Sequence, residues 1–331
     1  MHFASRILIC MSLYILAPTE GTAGATDIWF SPTDPFWGAS QHWPNTEYMR
    51  LFVPGAPWKE SASVVKAFEI SKRLVLESDE ADLREIVRAL NEMQISLSVQ
   101  IAPLVSSQAC GIGVEAHGPA DDVEKMATRL KSLGATVDFV SMDEPLWFGH
   151  NFRGGPGSGT PCTKPIRALA EEVAIKLRGL RRIYPQVVIG DIEPIGVPPS
   201  DAPEWADEVR AWIDSYNIVM GEPLGFFTAD VVWQRPTWRP LLREIGAELT
   251  QERIPLHIIY NGLPSDNSDE AWTRNAVAHF QEVEGEMHIV PAAAVFQSWT
   301  RYPERLLPDS SPSAFTNLLL QYAAYQNRQH R

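Results

Sequence analysis

Short apolar runs alternate with amphipathic segments along most of this chain. The clearest run, residues 137–142, is nearly continuous in apolar and β-branched side chains. That composition is typical of a strand buried on both faces of a parallel sheet. The same pattern recurs, and it predicts eight strands, at residues 26–32, 63–71, 95–103, 137–142, 186–194, 224–233, 254–262 and 293–299.

Segments with apolar residues three and four positions apart follow most of these strands, as in amphipathic helices. Residues 120–133 stop at Gly134, a residue type that commonly ends a helix. Residues 269–284 begin with acidic side chains, which the helix dipole favours. The pattern predicts helices at residues 80–94, 120–133, 166–182, 203–216, 238–252, 269–284 and 313–325.

This alternation predicts an α/β protein, a (β/α)₈ TIM barrel with long loops at its carboxyl face. An open doubly wound sheet is the competing fold. It is disfavoured because no G-x-G-x-x-G motif follows the first strand, and because the glycine-rich stretch 154–159 lacks the lysine of a phosphate-binding loop. We expect a single catalytic domain over residues 26–331.

The first 25 residues are typical of a secretory signal peptide. A positive charge at Arg6 precedes an apolar core at 7–17, and small residues at 22–25 favour cleavage after Ala25. We therefore expect a secreted or periplasmic protein. Cys110 and Cys162 remain after cleavage, on loops that follow neighbouring strands, and an oxidising compartment favours a disulfide between them. No later stretch is apolar enough to span a bilayer.

Charge and composition narrow the class of ligand. The net charge of −13, without clusters of Lys and Arg, argues against nucleic acid and anionic membrane surfaces. Eleven tryptophans are many for 331 residues, and several lie in loops beside Pro, Gly or charged residues. Indole rings stack on sugars as well as on core residues. The eight histidines lack H-E-x-x-H spacing, so we expect no zinc site, and no cofactor is predicted.

Acidic and polar side chains follow several of the predicted strands. In a barrel they would meet at the carboxyl edge, where such folds place their sites. They are Glu69, Asp143, Glu144, Asp191, Glu193 and Asp230, with Tyr260, Asn261, Gln297 and Trp299 beside them. Crowded carboxylates raise one another's pKa, so one stays protonated while another is charged. Cleavage of a glycosidic bond needs that division of roles.

Asp143 and Glu144 also fit a second interpretation, as caps of a helix N-terminus. Pro145 and residues 146–150 lead towards a glycine-rich loop rather than an evident helix, which favours the catalytic interpretation. Neighbouring residues of an ideal strand point to opposite faces. Both carboxylates therefore reach one site only if the chain twists at the strand end.

Asp143-Glu144-Pro145 resembles the Asn-Glu-Pro motif that carries the acid/base glutamate at the end of strand four in many (β/α)₈ glycoside hydrolases. The aspartate before the glutamate is similar to the β-N-acetylhexosaminidase type. That resemblance implies that Glu144 is the general acid and that Asp143 steers an acetamido group of the substrate. It also implies that Trp299 and Tyr260 enclose that group.

One difference from the Asn-Glu-Pro enzymes concerns the second carboxylate. Their nucleophilic glutamate ends strand seven, where this chain has Tyr260-Asn261-Gly262. Glu193 and Asp191 share a face of the adjacent strand and are the expected replacements. The substrate-binding candidates are Glu69, Asp230, Tyr260, Asn261, Gln297, Trp299, Trp147 and His150.

These features predict a glycoside hydrolase acting on a poly- or oligosaccharide. The missing strand-seven glutamate keeps a second hypothesis open, a carbohydrate-binding barrel without hydrolytic activity.

Overall fold

The computed structural model describes residues 25–43, 45–155, 159–197, 200 and 202–329. The predicted signal peptide, apart from Ala25, lies outside these residues. In chain order the strands are β1 (Asp27–Ser31), β2 (Ala67–Ser71), β3 (Ser96–Ile101), β4 (Leu104–Val105), β5 (His117–Gly118), β6 (Phe139–Asp143), β7 (Val188–Ile195), β8 (Phe227–Val231), β9 (Leu256–Ile259) and β10 (Ala293–Gln297).

Eight of these strands close into a parallel barrel in the order β1-β10-β9-β8-β7-β6-β3-β2, while β4 and β5 pair only with each other. The predicted (β/α)₈ TIM barrel is therefore confirmed. The surrounding helices are α1 (Pro35–Ser40), α2 (Lys59–Ala62), α3 (Lys72–Glu77), α4 (Glu80–Met93), α5 (Asp122–Ser132), α6 (Ile166–Ile183), α7 (Trp205–Met220), α8 (Trp238–Glu252), α9 (Asp269–Phe280) and α10 (Phe315–Gln329).

The main local differences from the sequence prediction are short helical turns. Helix α3 was not predicted, and it starts directly after β2, where the Ser71 hydroxyl accepts the Leu74 N–H at 2.9 Å. Residues 145–151 were predicted as loop but form a helical turn that includes a π-helix at Trp147–Asn151. The turn at 145–151 directly follows Glu144, so the contacts that stabilise it also fix the backbone at Glu144.

Strand parity separates the barrel interior into an apolar lower part and a polar mouth. Trp29, Phe139 and Phe226 fill the lower part, with ring centroids 4.7 Å apart for Trp29–Phe139 and 5.3 Å for Trp29–Phe226. Two and four residues further along the same inward faces, the strands carry polar and acidic side chains. Asp143 and Asp230 thus stand at the carboxyl end above a packed aromatic floor.

Most of the tryptophans belong to the core. Five of them are almost fully buried, namely Trp58, Trp205, Trp212, Trp238 and Trp272. Trp29 lies inside the barrel. Trp37 and Trp299, in contrast, are 38% and 42% exposed. The aromatic side chains available to a ligand are therefore fewer than the composition indicates.

A buried carboxyl outside the barrel predicts a pH-dependent stability. Glu284 accepts hydrogen bonds from the Tyr322 hydroxyl at 2.9 Å and from Gln326 Nε2 at 2.5 Å. Burial raises its pKa from 4.5 to about 7. The unfolded chain releases this proton at lower pH than the folded chain does, so stability falls as pH rises from 4.5 to 7, by ~3 kcal/mol at most.

We expect Glu284→Gln to remove this pH dependence. The variant should match the wild type near pH 4.5 and exceed its free energy of unfolding by ~1–3 kcal/mol at pH 8. Urea denaturation at both pH values measures the difference. An equal gain at the two pH values would contradict the assignment.

Candidate active site

The backbone changes direction between Asp143 and Glu144, at the carboxyl end of the barrel. Asp143 ends β6 on its inward face, in line with Phe139 and Ser141. Glu144 has a φ of +47°, a left-handed conformation that is uncommon outside glycine. Both side chains are half-buried. The change of backbone direction expected between Asp143 and Glu144 is therefore present. Strained backbone conformations of this kind are frequent at functional sites.

Asp230 joins this pair from the inward face of β8. Its register partner on β7 is Pro194, while Asp143 pairs with Ile192, so the two aspartates lie two strands apart. Two strand spacings place their backbones about 10 Å from each other. The two carboxylates therefore enter the barrel mouth from the two strands that flank β7.

The site raises the pKa of each of its carboxyl groups. Burial raises the pKa of Glu144 well above its ordinary value, and the charges of Asp230, Glu115, Asp143 and Glu193 raise it further. Burial, together with the charge of Asp143, raises the pKa of Asp230 to about 7. Burial raises the pKa of Asp143 to about 6. Burial and the neighbouring charges thus favour the protonated form of Glu144.

Two neighbouring groups limit the pKa shift of Asp143. Gln100 donates a hydrogen bond to Asp143, and the positive charge of Lys72 favours the ionised form. Gln100 Oε1 in turn accepts from Gln297 Nε2 at 3.1 Å, across the barrel mouth. Gln297, expected to bind substrate, thus orients Gln100 and through it Asp143. Gln100 was not predicted as a site residue, although it lies in the predicted strand 95–103.

Glu115 is a fourth carboxylate that the sequence did not reveal. It lies in the loop between β4 and β5, where no hydrophobic period or motif marks it. Desolvation by the surrounding protein, then the charges of Asp143 and Asp230, raise its pKa to about 8. Its side chain is still open to solvent, so water screens part of this effect. It therefore lies near Asp143 and Asp230, although it comes from a loop rather than from a strand.

The loop that carries Glu115 is held at its start and again at Cys110. Lys176 is almost fully buried, and its ammonium donates to the carbonyls of Ala102 at 3.0 Å and Leu104 at 2.9 Å. The predicted disulfide between Cys110 and Cys162 is confirmed, with Cα atoms 5.1 Å apart. It joins the Glu115 loop to the segment that follows Glu144. Glu115 is therefore presented by an ordered loop.

Glu69 and Asn261 are both buried and engaged in hydrogen bonds within the protein. Glu69 is 3% exposed, and its Oε2 accepts from Ser98 at 2.7 Å and Ser141 at 2.5 Å inside the barrel. Asn261 is also buried, and its Oδ1 accepts from Trp233 Nε1 at 2.8 Å. Glu69, level with Phe139, belongs to the floor of the site, whereas Asn261 lies near the carboxyl end of its strand and is bound to Trp233.

Asp191 and Glu193 point away from the barrel interior. The structure therefore does not support the catalytic role that was expected for them. They share a face of β7, as parity requires, but it is the outer face, because Ile192 between them points into the barrel. Asp191 Oδ2 accepts from Trp212 Nε1 of α7 at 2.6 Å. Both carboxyl groups are fully buried.

Glu193 instead caps the helical turn after Glu144. Its two carboxylate oxygens accept the N–H groups of Leu146 at 2.6 Å and Trp147 at 3.1 Å. The capping function considered for Asp143 and Glu144 is thus performed by Glu193, from the neighbouring strand. Glu193 is a positioning residue that holds the backbone on which Glu144 stands.

Three further candidates make contacts of their own within the protein. Tyr260 is fully buried on the outer side of the barrel, 6.0 Å from the Phe280 ring, so it cannot enclose a substrate group. The His150 ring bonds the Lys164 carbonyl through Nδ1 at 2.6 Å. Trp147 is half-buried and packs against Trp205. Trp299 remains exposed at the carboxyl edge, after β10.

The cap provided by Glu193 leads to a prediction about Glu193→Ala. The substitution leaves two N–H groups without acceptors and opens a cavity, so we expect the free energy of unfolding to fall by ~2–4 kcal/mol. Activity should fall as well, because Glu144 loses its support. Denaturant unfolding and turnover measure the two effects. Unchanged stability would show that water replaces the cap.

The described part of the chain offers no group of three or more His, Cys, Asp or Glu side chains arranged to hold a metal ion. Likewise, none of its helices is long and apolar enough to cross a bilayer.

The fold and the site define a class, a TIM barrel with half-buried carboxylates at its mouth. No protein-family profile matches the chain. No curated protein sequence matches it either. Among solved structures it is similar to fungal β-1,4-galactanases, at 8% identity and a TM-score of 0.52, over 90% of this chain and 100% of that one.

A second similar structure is a GH10 protein from Paenibacillus barcinonensis, with 9% identity and a TM-score of 0.48, over 82% of this chain and 84% of that one. A third is morphinone reductase, with 9% identity and a TM-score of 0.48, over 82% of this chain and 81% of that one. At such identities the similarity is one of fold alone.

Proposed function

We propose that this protein is an exported glycoside hydrolase that cleaves a poly- or oligosaccharide with Glu144 as its general acid. The observation that supports this most is the placement of Glu144. Its side chain is half-buried in a left-handed turn at the barrel mouth, where burial and then the charges of nearby carboxylates, Asp230 foremost, raise its pKa well above the ordinary value. A carboxylic acid held neutral near pH 7 can protonate a leaving oxygen.

Asp230 is the proposed second carboxylate. Glu144 would donate its proton to the glycosidic oxygen as the bond to the anomeric carbon breaks, and Asp230 would attack that carbon or activate water. Asp230 supports this role because it lies at the barrel mouth two strands from Asp143, and its charge is the one that acts most on Glu144. Asp143 directly precedes Glu144 in the chain. Its proposed role is to supply negative charge that keeps Glu144 protonated.

The competing hypothesis is a barrel that binds carbohydrate without cleaving it. It was motivated by the absence of a glutamate after the seventh barrel strand, where Asn261 stands. Asp230 and Glu115 supply carboxylates at the same cavity from other elements, and this favours hydrolysis.

Product analysis separates the two hypotheses. Incubation with β-1,4-galactan, xylan, cellulose, mannan and chitin, followed by mass detection of released oligosaccharides, should show cleavage of at least one polymer. Binding without any product would support the competing hypothesis instead.

The proposed export rests on the signal-like N-terminus and is compatible with the Cys110–Cys162 disulfide, a bond that persists in oxidising compartments. N-terminal sequencing of the mature protein should begin at Thr26.

A further inference from the structure

We propose that a second sugar-binding pocket lies at the opposite side of the barrel mouth, between the segments that follow β1 and β10. This inference rests on the proposed function, and it identifies the substrate as a chain of several sugar units rather than a single sugar or a disaccharide.

The pocket is a cavity of about 360 Å³. Thr33, His42, Trp43 and Asn45 line it from the segment after β1, and Arg301 and Glu304 line it from the segment after β10. This volume lies within the range of small-ligand sites, which is about 300–1,000 Å³. The cavity is therefore large enough for a sugar ring.

The chemistry of the lining suits a neutral, hydroxylated ligand. Arg301 Nε and Glu304 Oε1 form an ion pair at 2.6 Å, so the two charges largely cancel. The Asn45 amide donates to the Thr33 carbonyl at 3.3 Å, which fixes its orientation. Hydroxyl, amide and imidazole groups can exchange hydrogen bonds with sugar hydroxyls. A phosphate or a carboxylated ligand would need an unpaired cation.

Aromatic surface accompanies this polar lining. Trp43 is half-buried, lines the pocket and is not among the residues of the hydrophobic core. The two most exposed indoles of the described residues lie nearby along the chain, Trp37 in α1 and Trp299 two residues before Arg301. Trp37 Nε1 donates to the Trp299 carbonyl at 2.9 Å, which ties the two segments together.

The position of the pocket determines the length of the ligand. In the closed order of strands, β10 stands four places from β6 and β1 stands four places from β7, so the pocket faces Asp143 and Glu144 across the barrel. Eight strands spaced about 4.8 Å and tilted about 36° give a barrel roughly 15 Å wide. A ligand that fills the pocket and also reaches Glu144 must span that width.

Trp43→Ala tests the pocket through chain length. With xylo-, cello-, manno-, galacto- and chito-oligosaccharides of two to six units, we expect the substitution to raise KM about tenfold for hexasaccharides, a typical loss for an aromatic contact. The rise should diminish as the chain shortens. Ile218→Ala, which removes an exposed apolar side chain on the distant helix α7, is the matched control. A change in KM that is equal for disaccharide and hexasaccharide would overturn the proposal.

Direct binding distinguishes failure of the pocket from failure of the hydrolase assignment. Titration calorimetry of the same hexasaccharides with Glu144→Gln, and with Glu144→Gln combined with Trp43→Ala, measures affinity without turnover. Weaker binding in the double variant supports the pocket even if the wild type cleaves nothing. Equal affinity in the two variants, or no binding of any hexasaccharide, rejects the pocket whatever the protein hydrolyses.

Discussion

Glu144→Gln is expected to remove most of the cleavage activity and at the same time to stabilise the fold. Loss of a general acid lowers turnover by about 10²–10⁴-fold. The stabilising effect follows from the raised pKa of Glu144, which burial and neighbouring carboxylates cause. A carboxyl whose pKa is raised on folding destabilises the fold as pH rises towards the folded-state pKa, so the neutral amide gains most at alkaline pH.

Turnover on the polysaccharide that the wild type cleaves, together with calorimetric melting at pH 5 and pH 8, measures both effects. We expect Tm to rise more at pH 8 than at pH 5, by about 2–4 °C for each kcal/mol gained. Glu252→Gln, at the exposed end of α8, is the matched control and should change neither quantity. Activity within tenfold of the wild type would reject Glu144 as the acid.

The contrast with Glu193→Ala makes this prediction sharper. Both substitutions should lower activity, but Glu193→Ala should lower Tm because its carboxylate accepts two backbone N–H groups. A higher Tm for Glu144→Gln and a lower Tm for Glu193→Ala would distinguish their roles. Glu144 would then be the reacting group, held in a strained and like-charged site, and Glu193 a group that supports it.

Asp230→Asn is expected to lower kcat/KM by about 10²–10⁴-fold and to shift what remains of the pH profile. In the wild type, activity should rise as Asp143 and Asp230 ionise, with pKa values of about 6 and 7, and fall when Glu144 loses its proton. Removing the charge of Asp230 lowers the pKa of Glu144, since Asp230 is the charge that raises it most. The alkaline limb should therefore move to lower pH.

Measurement of kcat/KM against pH for the wild type and Asp230→Asn tests this assignment. Asp82→Asn, on the exposed face of α4, serves as the control and should leave the profile unchanged. If Asp230→Asn retains activity and Glu115→Gln abolishes it, the second carboxylate is the one that comes from the loop between β4 and β5.

The sequence by itself determined the order and the number of the elements. Apolar runs and helical periods arise from residues close in the chain, so they are readable without knowledge of distant contacts. The predicted helix 238–252 coincides with α8, and each of the eight predicted strands contains the observed one or lies within one or two residues of it. The position of Asp143 and Glu144 at a strand end followed from the same local pattern.

The tertiary structure decided which carboxylates meet. The alternation of side chains along a strand showed that Asp191 and Glu193 share a face. Whether that face points into the barrel depends on how the barrel closes, which places Ile192 inside and Trp212 outside. Asp230 and Glu115 meet Glu144 only because strands and loops distant in the chain close over one edge. Local patterns fix where an element begins and ends, whereas the environment of a side chain is set by residues far away in sequence.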